Sequence, residues 1–404
     1  MQDPAGSAVG EATSVGASAA AKGRPEQGSA PSGGSEAHEV ASVGARILVV
    51  KLSSLGDVVH TMPAVQDMRR ALPGALIDWV VEPGFAPLVR RCGGVQRVIE
   101  CGLRQWRKSP LSASTRTAWR AFKADLQAER YNAVIDLQGL TKSALVSRLA
   151  LLAPGGKRYA LANQTEGSSY EAPTRWLADV AVTVTAHSHA VQRSRELCAR
   201  ALGYAVSPGG ANFEDYGLLA RAGSAQVAIK KIAFKKIAMG GAERGVIVLV
   251  HGTSRADKLW PEAAWIALGE RLLANGFDLA LPHGTSDELA RSERLALALA
   301  PAVAAAGAIV DVWPRLGLDA LTDRLAQAAG VIGVDSGLSH MAVALGLPHV
   351  QLYNFDTAWR TGPGSFGAQQ SVFAQPQPGL ELVWQAWCRV WSTAWPDQAL
   401  MTVR

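Results

Sequence analysis

The sequence predicts an α/β protein in which two Rossmann-like domains face each other across a cleft. Three observations lead to this prediction. Short apolar runs alternate with helical stretches, the runs form two separate series, and a chain of 404 residues is long for a single compact core. Alternation of this kind is typical of a parallel sheet that helices cover on both faces.

The first series of apolar runs predicts four strands and defines a first domain over residues 45–204. The runs are RILVV (46–50), LIDWVVE (76–82), RVIE (97–100) and YNAVIDLQG (131–139). Because helical segments separate them, we expect consecutive strands of this domain to be parallel.

The second series predicts a second domain over residues 245–378. Its runs are GVIVLVHG (245–252), FDLALPHG (277–284), AIVDVW (308–313), GVIGVD (330–335) and HVQLYN (349–354). Ligands of doubly wound sheets bind at the carboxyl ends of the strands, so we expect the chemistry to lie in the turns that follow these runs.

Two further segments flank or join the predicted domains. Residues 1–44 are rich in Ala, Gly, Ser and Glu, and we predict a disordered extension because they offer little apolar area to bury. Residues 205–244 are predicted to be a linker, which contains the basic segment AIKKIAFKKIA (228–238). That segment fits either a solvated linker helix or a contact with a membrane surface.

The last segment, residues 379–404, is predicted to form a helix rich in tryptophan. Its indoles recur at helical spacing, at Trp384, Trp387, Trp391 and Trp395. Such a stripe fits either packing against a neighbouring domain or anchoring at a membrane interface.

Composition narrows the class of partner. The net charge of +6 suits an anionic partner, which leaves nucleic acid, acidic lipid and phosphorylated substrates open. No recognised nucleic-acid motif is present, so we expect no nucleic-acid partner. The four cysteines form no C-x-x-C pair, and together with the lack of a secretory signal they lead us to expect a cytoplasmic protein with reduced thiols.

The turn after the first strand, KLSSLGDVVHTMPA (51–64), is the first candidate site. Gly56 is its only glycine, which excludes the G-x-G-x-x-G and Walker phosphate motifs. The turn instead supplies polar side chains, those of Lys51, Ser53, Ser54 and Asp57. Asp57 fits either a first-turn acid that the helix dipole favours or a general base for a sugar hydroxyl.

The second domain supplies the matching candidates for an anionic substrate. HGTSRADKLWP (251–261) contains Thr253, Ser254 and Lys258, and GVDSGLSHMAVALG (333–346) is a strand that ends in Asp335 before a new helix. Backbone N–H groups at that helix N-terminus would bind a diphosphate, and Lys258 would neutralise it in place of a metal ion. Glu288 fits either a contact to sugar hydroxyls or a solvated first-turn acid.

A basic segment, LRQWRKSP (103–110), is the third candidate. It places Arg104, Arg107 and Lys108 around Trp106. A solvated basic face and a binding site for a phosphate-bearing acceptor both remain open for it.

Taken together, these motifs resemble the ADP-heptose:lipopolysaccharide heptosyltransferases, a family with the two-domain GT-B fold. The resemblance extends over most of the chain from Arg46 onward. Its most specific pieces are VKLSSLGDVVHTMPA, DWVVEPGFA, RQWRK, VIDLQGLTKSA, TSRADKLWP and VDSGLSHMAVALG. The first and third of these favour the type I branch over the type II branch.

The resemblance implies roles for individual residues. It implies that Asp57 is the catalytic base and that Lys258 holds the phosphates of ADP-heptose. The residues implied to bind the donor are Thr253, Ser254, Glu288, Asp335, Ser336, Gly337, Leu338 and His340. The residues assigned to the acceptor side are Lys51, Ser53, Ser54, Gly56, Arg104, Arg107, Lys108, Gln138 and Lys142.

The implied reaction is an inverting transfer of L-glycero-D-manno-heptose from ADP-heptose to the Kdo residue of Kdo-lipid A, in assembly of the lipopolysaccharide inner core. We expect no metal and no other cofactor, and a peripheral location on the cytoplasmic face of the inner membrane. A type II heptosyltransferase and a non-catalytic nucleotide-sugar-binding protein are the alternatives. A serine hydrolase based on Ser336 is disfavoured because the G-x-S-x-G elbow is missing.

Overall fold

The computed structural model of the protein describes residues 44–206, 215–218, 244–363 and 367–397. The predicted N-terminal extension, apart from Gly44, and the basic segment 228–238 lie outside the described residues. The described chain forms two six-stranded parallel sheets with helices on both faces, and the predicted fold class is confirmed.

The first sheet has the strand order β3-β2-β1-β4-β5-β6. Its strands are β1 (Arg46–Val50), β2 (Leu76–Val81), β3 (Val95–Glu100), β4 (Arg130–Asp136), β5 (Leu151–Leu161) and β6 (Val180–Val182). Its helices are α1 (Leu55–Ala71), α2 (Ala86–Arg90), α3 (Leu103–Trp106), α4 (Ala113–Leu126), α5 (Thr141–Leu149), α6 (Thr174–Leu177) and α7 (Ala190–Leu202). A 3-10 turn at Pro83–Phe85 precedes α2.

The second sheet has the order β12-β11-β10-β7-β8-β9. Its strands are β7 (Val246–Val250), β8 (Asp278–Leu281), β9 (Val310–Val312), β10 (Gly330–Val334), β11 (His349–Tyr353) and β12 (Gln369–Phe373). Its helices are α8 (Glu262–Ala274), α9 (Ser286–Ala306), α10 (Leu318–Ala326), α11 (Gly337–Ala344), α12 (Ala358–Thr361) and α13 (Leu380–Ala394).

The three strands that were not predicted from the sequence lie at or near sheet edges. β5 reads LLAPGGKRYAL, in which a proline and two glycines interrupt the apolar pattern. β6 has only three residues. β12 reads QQSVF, which is mostly polar because this strand forms an edge of the second sheet. Edge strands are half solvated, so they lack the continuous apolar run that identifies the central strands.

The central strands and α1 form a buried core that continues into the second domain. Ile47 and Val49 of β1 and Val58 and Met62 of α1 belong to one apolar cluster with Met341 of α11. Because buried apolar contacts join α1 to α11, the two sheets are held with their carboxyl edges towards each other. Among the described helices, none combines the length and the apolar character needed to cross a membrane.

Three of the four tryptophans of the stripe are buried in the core of the second domain, and Trp395 is partly buried against it. Trp384, Trp387 and Trp391 of α13 are each at most 3% exposed, and Phe277 lies edge-on to Trp391 at a ring-centroid distance of 4.8 Å. Of the two interpretations of the stripe, packing is therefore the one that the structure supports, although the helix packs on its own domain. The buried indoles are not available to a membrane.

Replacing Trp387 with Ala should lower the free energy of unfolding by about 3–5 kcal/mol, because it opens a large cavity in a packed core. Leu382→Ala on the same helix is the matched control, since Leu382 is 41% exposed and should cost less than about 0.5 kcal/mol. Urea unfolding followed by circular dichroism measures both. Equal losses would mean that α13 is not an integral part of the core.

Candidate active site

The carboxyl ends of the two sheets border a cleft with a volume of about 790 Å³. Both predicted catalytic residues, Asp57 and Lys258, line it. All the residues predicted to bind the donor line it as well: Thr253, Ser254, Glu288, Asp335, Ser336, Gly337, Leu338 and His340. The topology explains this gathering, because the turns that carry these residues follow β1, β7, β8 and β10.

Asp57 sits in the first turn of α1 and uses its two carboxylate oxygens differently. Oδ2 accepts hydrogen bonds from the backbone N–H and the hydroxyl of Ser54, at 3.1 and 2.9 Å, which caps the helix. Oδ1 lies 3.3 Å from Nζ of Lys51. Asp57 is therefore a first-turn acid that caps α1, and its side chain also lines the cleft.

The buried Lys51 ammonium keeps Asp57 ionised. Burial alone would raise the pKa of Asp57, but the charge of Lys51 and the hydrogen bonds from Ser54 outweigh it and lower the pKa to about 2. Lys51 is itself only 2% exposed and donates to the carbonyl oxygen of Leu137 at 3.0 Å. Asp57 is thus a carboxylate at any physiological pH, ready to accept a proton.

The opposite wall of the cleft holds a second ion pair, between Lys258 and Asp335. His340 Nε2 lies 3.3 Å from the other carboxylate oxygen of Asp335. Burial would raise the pKa of Asp335, but His340 and Lys258 together hold it well below the usual range. Thr253 donates its hydroxyl to the backbone carbonyl of Asp335 at 3.1 Å, which ties the turn after β7 to the end of β10.

The helix α11 begins in this wall and presents its N-terminus to the cleft. Ser336 is the N-cap residue, and its hydroxyl is buried without a hydrogen-bond partner among the described residues. A buried hydroxyl and unpaired backbone N–H groups at a helix start are suited to bind a phosphate oxygen. The hydroxyl of Ser339 is already used, since it donates to the Val334 carbonyl at 2.7 Å.

Two glycines let α1 and α11 approach closely across the domain boundary. A Cβ on Gly56 would lie 2.6 Å from Cδ2 of His340, and a Cβ on Gly337 would lie 2.8 Å from Cβ of Leu55. His60, one turn further along α1, contacts the same His340 ring at a centroid distance of 4.4 Å. Burial and the neighbouring His340 lower the pKa of His60 well below its ordinary value, so its imidazole is neutral.

Glu288, predicted as a possible first-turn acid, also has a structural role. Its Oε2 accepts from the N–H groups of Gly284 and Thr285, at 2.7 and 3.2 Å, and Thr285 caps α9 in return. The side chain nevertheless lines the cleft, and a Cβ on Gly252 would lie 2.4 Å from its Oε1. Glu288 is therefore a capping residue with one oxygen near the predicted donor side.

The residues predicted for the acceptor side divide into two groups. Lys51, Ser54, Gly56 and Gln138 line the cleft, and Gln138 also braces it, because its Oε1 accepts from the N–H groups of Leu52 and Ser53 at 3.1 Å each. Ser53 is buried and belongs to the group that does not line the cleft. The remaining residues do not line the cleft: Arg104, Arg107, Lys108 and Lys142.

The basic segment forms an exposed face at the carboxyl end of β3. Trp106 packs against Trp119 and Phe122, with ring centroids 5.6 and 5.5 Å away, and so fixes the short helix α3. Arg104 Nη2 lies 3.4 Å from Glu82. In the described part of the chain, Arg107 and Lys108 form no ion pair and are exposed to solvent.

The cleft residues that were not predicted from the sequence include His60, Arg193 and Arg360. His60 lies inside the apolar face of α1, where a histidine is easily taken for a core residue. Arg193 lies in α7, the helix that follows β6. Because β6 was not predicted, the segment after it was not considered as part of the site. In the described ranges, His, Cys, Asp and Glu side chains nowhere form a group of three that could hold a metal ion.

Comparison with known proteins places the sequence among heptosyltransferases. The profile of glycosyltransferase family 9 (heptosyltransferase) matches residues 119–381. Lipopolysaccharide heptosyltransferase 1 of Escherichia coli is 37% identical over 339 residues, which cover 83% of this chain and 95% of that protein. The heptosyltransferase 1 of Pseudomonas aeruginosa is 37% identical over 80% of this chain and 81% of its own length. Lipooligosaccharide heptosyltransferase 2 of Haemophilus influenzae is 24% identical, over 78% of this chain and 85% of its own length.

A solved structure also matches. The structure of Escherichia coli heptosyltransferase WaaC with ADP superposes with a TM-score of 0.68 at 34% identity, and the match covers 84% of this chain and 98% of that one. Escherichia coli heptosyltransferase II gives a TM-score of 0.61 at 20% identity over 85% of this chain and 99% of that one, which indicates a shared fold.

Replacing Glu288 with Ala should lower the free energy of unfolding by about 1 kcal/mol, because two N–H groups at the start of α9 lose their acceptor. Glu288→Gln keeps an acceptor oxygen at the same place and should keep most of the stability. Urea unfolding of the two variants measures the difference. If Glu288→Ala unfolds like the unchanged protein, the capping contact contributes nothing to the fold.

Proposed function

The chain belongs to glycosyltransferase family 9, the heptosyltransferases, and from this premise we propose that it is a type I enzyme. Its reaction transfers L-glycero-D-manno-heptose from ADP-heptose to the Kdo residue of Kdo-lipid A, a step in building the lipopolysaccharide inner core. One observation carries the proposal: an ionised carboxylate, Asp57, faces the helix N-terminus at Ser336 and Lys258 across one cleft. A base and a leaving-group site on opposite walls are what a single displacement requires.

The relatives named heptosyltransferase 1 support the type I assignment. Those of Escherichia coli and Pseudomonas aeruginosa are each 37% identical to this chain, against 24% for the heptosyltransferase 2 of Haemophilus influenzae, although the heptosyltransferase 1 of Campylobacter coli is only 22% identical. The RQWRK segment also fits, because a phosphate-bearing lipid acceptor needs an exposed basic face, which α3 provides.

The second domain binds the donor in this proposal. The diphosphate of ADP-heptose lies at the N-terminus of α11, where the Ser336 hydroxyl and the first backbone N–H groups donate to it. Lys258 neutralises the charge that grows on the diphosphate as the bond to the heptose breaks. Glu288 accepts hydrogen bonds from heptose hydroxyls with the oxygen that does not cap α9.

The first domain activates the acceptor. Asp57 Oδ1 removes the proton of a Kdo hydroxyl as the hydroxyl oxygen attacks the anomeric carbon of the heptose. The carbon–oxygen bond forms on the face opposite to the leaving diphosphate, so the anomeric configuration inverts. Because the pKa of Asp57 is about 2, its carboxylate is ionised at neutral pH. A carboxylate with such a low pKa is a weak base, so it accepts the proton late in the displacement.

In many nucleotide-sugar enzymes a divalent cation neutralises the negative charge of the leaving diphosphate. Lys258 supplies this positive charge here, so we propose metal-independent transfer. The acceptor is a lipid, and we therefore propose that the enzyme works at the cytoplasmic surface of the inner membrane. The net charge of +6 fits a surface that carries anionic groups.

The test of the proposed function is release of ADP from ADP-heptose in the presence of Kdo-lipid A, measured with a coupled assay. ADP-mannose and a Kdo-lipid A that already carries one heptose serve as alternative donor and acceptor. We expect turnover with ADP-heptose and the unextended acceptor. Turnover only with the extended acceptor would identify a type II enzyme, and binding without turnover would identify a non-catalytic protein.

Replacing Asp57 with Asn should lower kcat by about 10²–10⁴-fold, because the amide cannot accept the proton. The affinity for ADP should not change, since the nucleotide binds to the other domain. Asp287→Asn is the matched control, as Asp287 is a first-turn acid of α9 that does not line the cleft. Activity of Asp57→Asn above about a third of the unchanged enzyme would leave Asp57 with a capping role only.

Replacing Lys258 with Met should raise KM for ADP-heptose and lower kcat, by about 10²-fold in kcat/KM, because the leaving diphosphate loses its counter-charge. Arg255→Met, which removes a nearby cation outside the cleft, should have little effect. EDTA should not change the rate of the unchanged enzyme. Loss of activity in EDTA that magnesium restores would contradict the assignment of Lys258.

Replacing Arg107 and Lys108 together with Ala should raise KM for Kdo-lipid A by about tenfold and leave KM for ADP-heptose unchanged, because their exposed charges meet acceptor phosphates. Rising salt should imitate the effect, since exposed charges are screened over about 8–10 Å. The matched control replaces two other exposed arginines, Arg200 and Arg294. Equal changes in both KM values would contradict an acceptor-specific role.

A further inference from the structure

Arg193 lines the cleft but has no role in the reaction proposed above. It lies in the first turns of α7, lines the cleft from the first domain, and has a side chain that is 11% exposed. Its Nη1 donates to the hydroxyl of Thr165 at 3.0 Å. Its Nη2 lies 3.9 Å from Oδ1 of Asp57. A nearly buried guanidinium thus stands directly beside the predicted base.

The distance between Arg193 and Asp57 leaves the guanidinium with donors to spare. A separation of 3.9 Å is attractive as a charge interaction but too long for a hydrogen bond. A guanidinium has five N–H donors, and Thr165 takes one of them. Asp57 does not need Arg193 as its counter-charge, because Lys51 is closer, at 3.3 Å.

The charges of this wall favour an anionic ligand. From the first domain, two cations, Lys51 and Arg193, and one carboxylate, Asp57, line the described part of the cleft. Arg360 adds a further cation from the second domain, where it donates to the backbone carbonyl of Gly167 at 2.7 Å. Gly167 permits this contact, since its φ is +65° and a Cβ there would lie 1.7 Å from Arg360 Nη1.

We propose that Arg193 binds a carboxylate of the acceptor sugar and so holds the neighbouring hydroxyl against Asp57. The assignment rests on the proposed transfer to a sugar acid. The fork of a guanidinium matches a carboxylate in two parallel hydrogen bonds, which fixes orientation as well as position. The diphosphate of the donor has its own partners at Ser336 and Lys258 on the opposite wall. A group bound at Arg193 lies beside the base, where the acceptor has to be.

The experiment measures binding of deacylated Kdo-lipid A by calorimetry without donor, together with ADP release from the complete reaction. Two forms of the acceptor are compared: the native one and one whose Kdo carboxylates are methyl esters, with its phosphates intact. The variants are Arg193→Gln and Arg193→Lys. Arg200→Gln is the matched control, because Arg200 lies on the same helix, is exposed and pairs with Glu196.

Arg193→Gln should weaken binding of the native acceptor by about 10- to 100-fold, the range of a charge-assisted hydrogen bond to a buried arginine. Esterification should weaken binding to the unchanged enzyme by a similar factor, and the two changes together should cost little more than either alone. Arg193→Lys should restore part of the affinity for the native acceptor. ADP should bind every variant equally, and Arg200→Gln should behave like the unchanged enzyme.

Two results would overturn the proposal. An equal loss with native and esterified acceptors would mean that Arg193 acts on the fold or on Asp57, and a loss of ADP affinity would assign Arg193 to the donor. Binding is measured without turnover, so it tests Arg193 even if ADP-heptose is not the donor. Absence of ADP release by the unchanged enzyme would contradict the proposed function separately.

Discussion

The close approach of α1 and α11 is the constraint on which the rest of the site depends. Gly56 and Gly337 stand at the points of contact, and a side chain on either would overlap with His340 or Leu55. Two helix N-termini, one from each sheet, therefore face the same cleft with their partial positive charges. Asp57 caps the N-terminus of α1. The N-terminus of α11 remains available to an anion from solution.

Each wall of the cleft carries an ion pair of the same kind, in which one partner is buried and the other is partly buried. Lys51 stabilises the Asp57 carboxylate, and Lys258 stabilises that of Asp335. A buried charge without a counter-charge lowers the stability of the fold. Removal of one partner of either pair would therefore destabilise the protein through the charge that is left. In the proposed reaction the two pairs have separate tasks, because Asp57 of the first pair accepts a proton and Lys258 of the second pair binds a phosphate.

The sequence was sufficient to predict which residues after the central strands line the cleft, and insufficient for those that lie beside edge strands. Asp57, Lys258 and Asp335 were predicted because buried strands have continuous apolar runs and their carboxyl ends meet at one sheet edge. Arg193 was missed because it follows β6, a strand of three residues without a recognisable pattern. The contact between His60 and His340 joins residues far apart in the chain, and no local periodicity reports it. The position of Arg107 outside the cleft likewise depends on how α3 packs through Trp106, which spacing does not determine.

In the proposed reaction, the pairing of Lys258 with Asp335 affects the release of the nucleotide product. A nucleotide diphosphate that reaches Lys258 meets an ammonium group that already has a carboxylate partner. Binding therefore exchanges one ion pair for another, and the net gain is smaller than the charges alone suggest. When the sugar has been transferred, Asp335 is still beside the lysine and competes for it. An internal competitor of this kind favours rapid release over tight retention, which suits a catalyst that has to turn over.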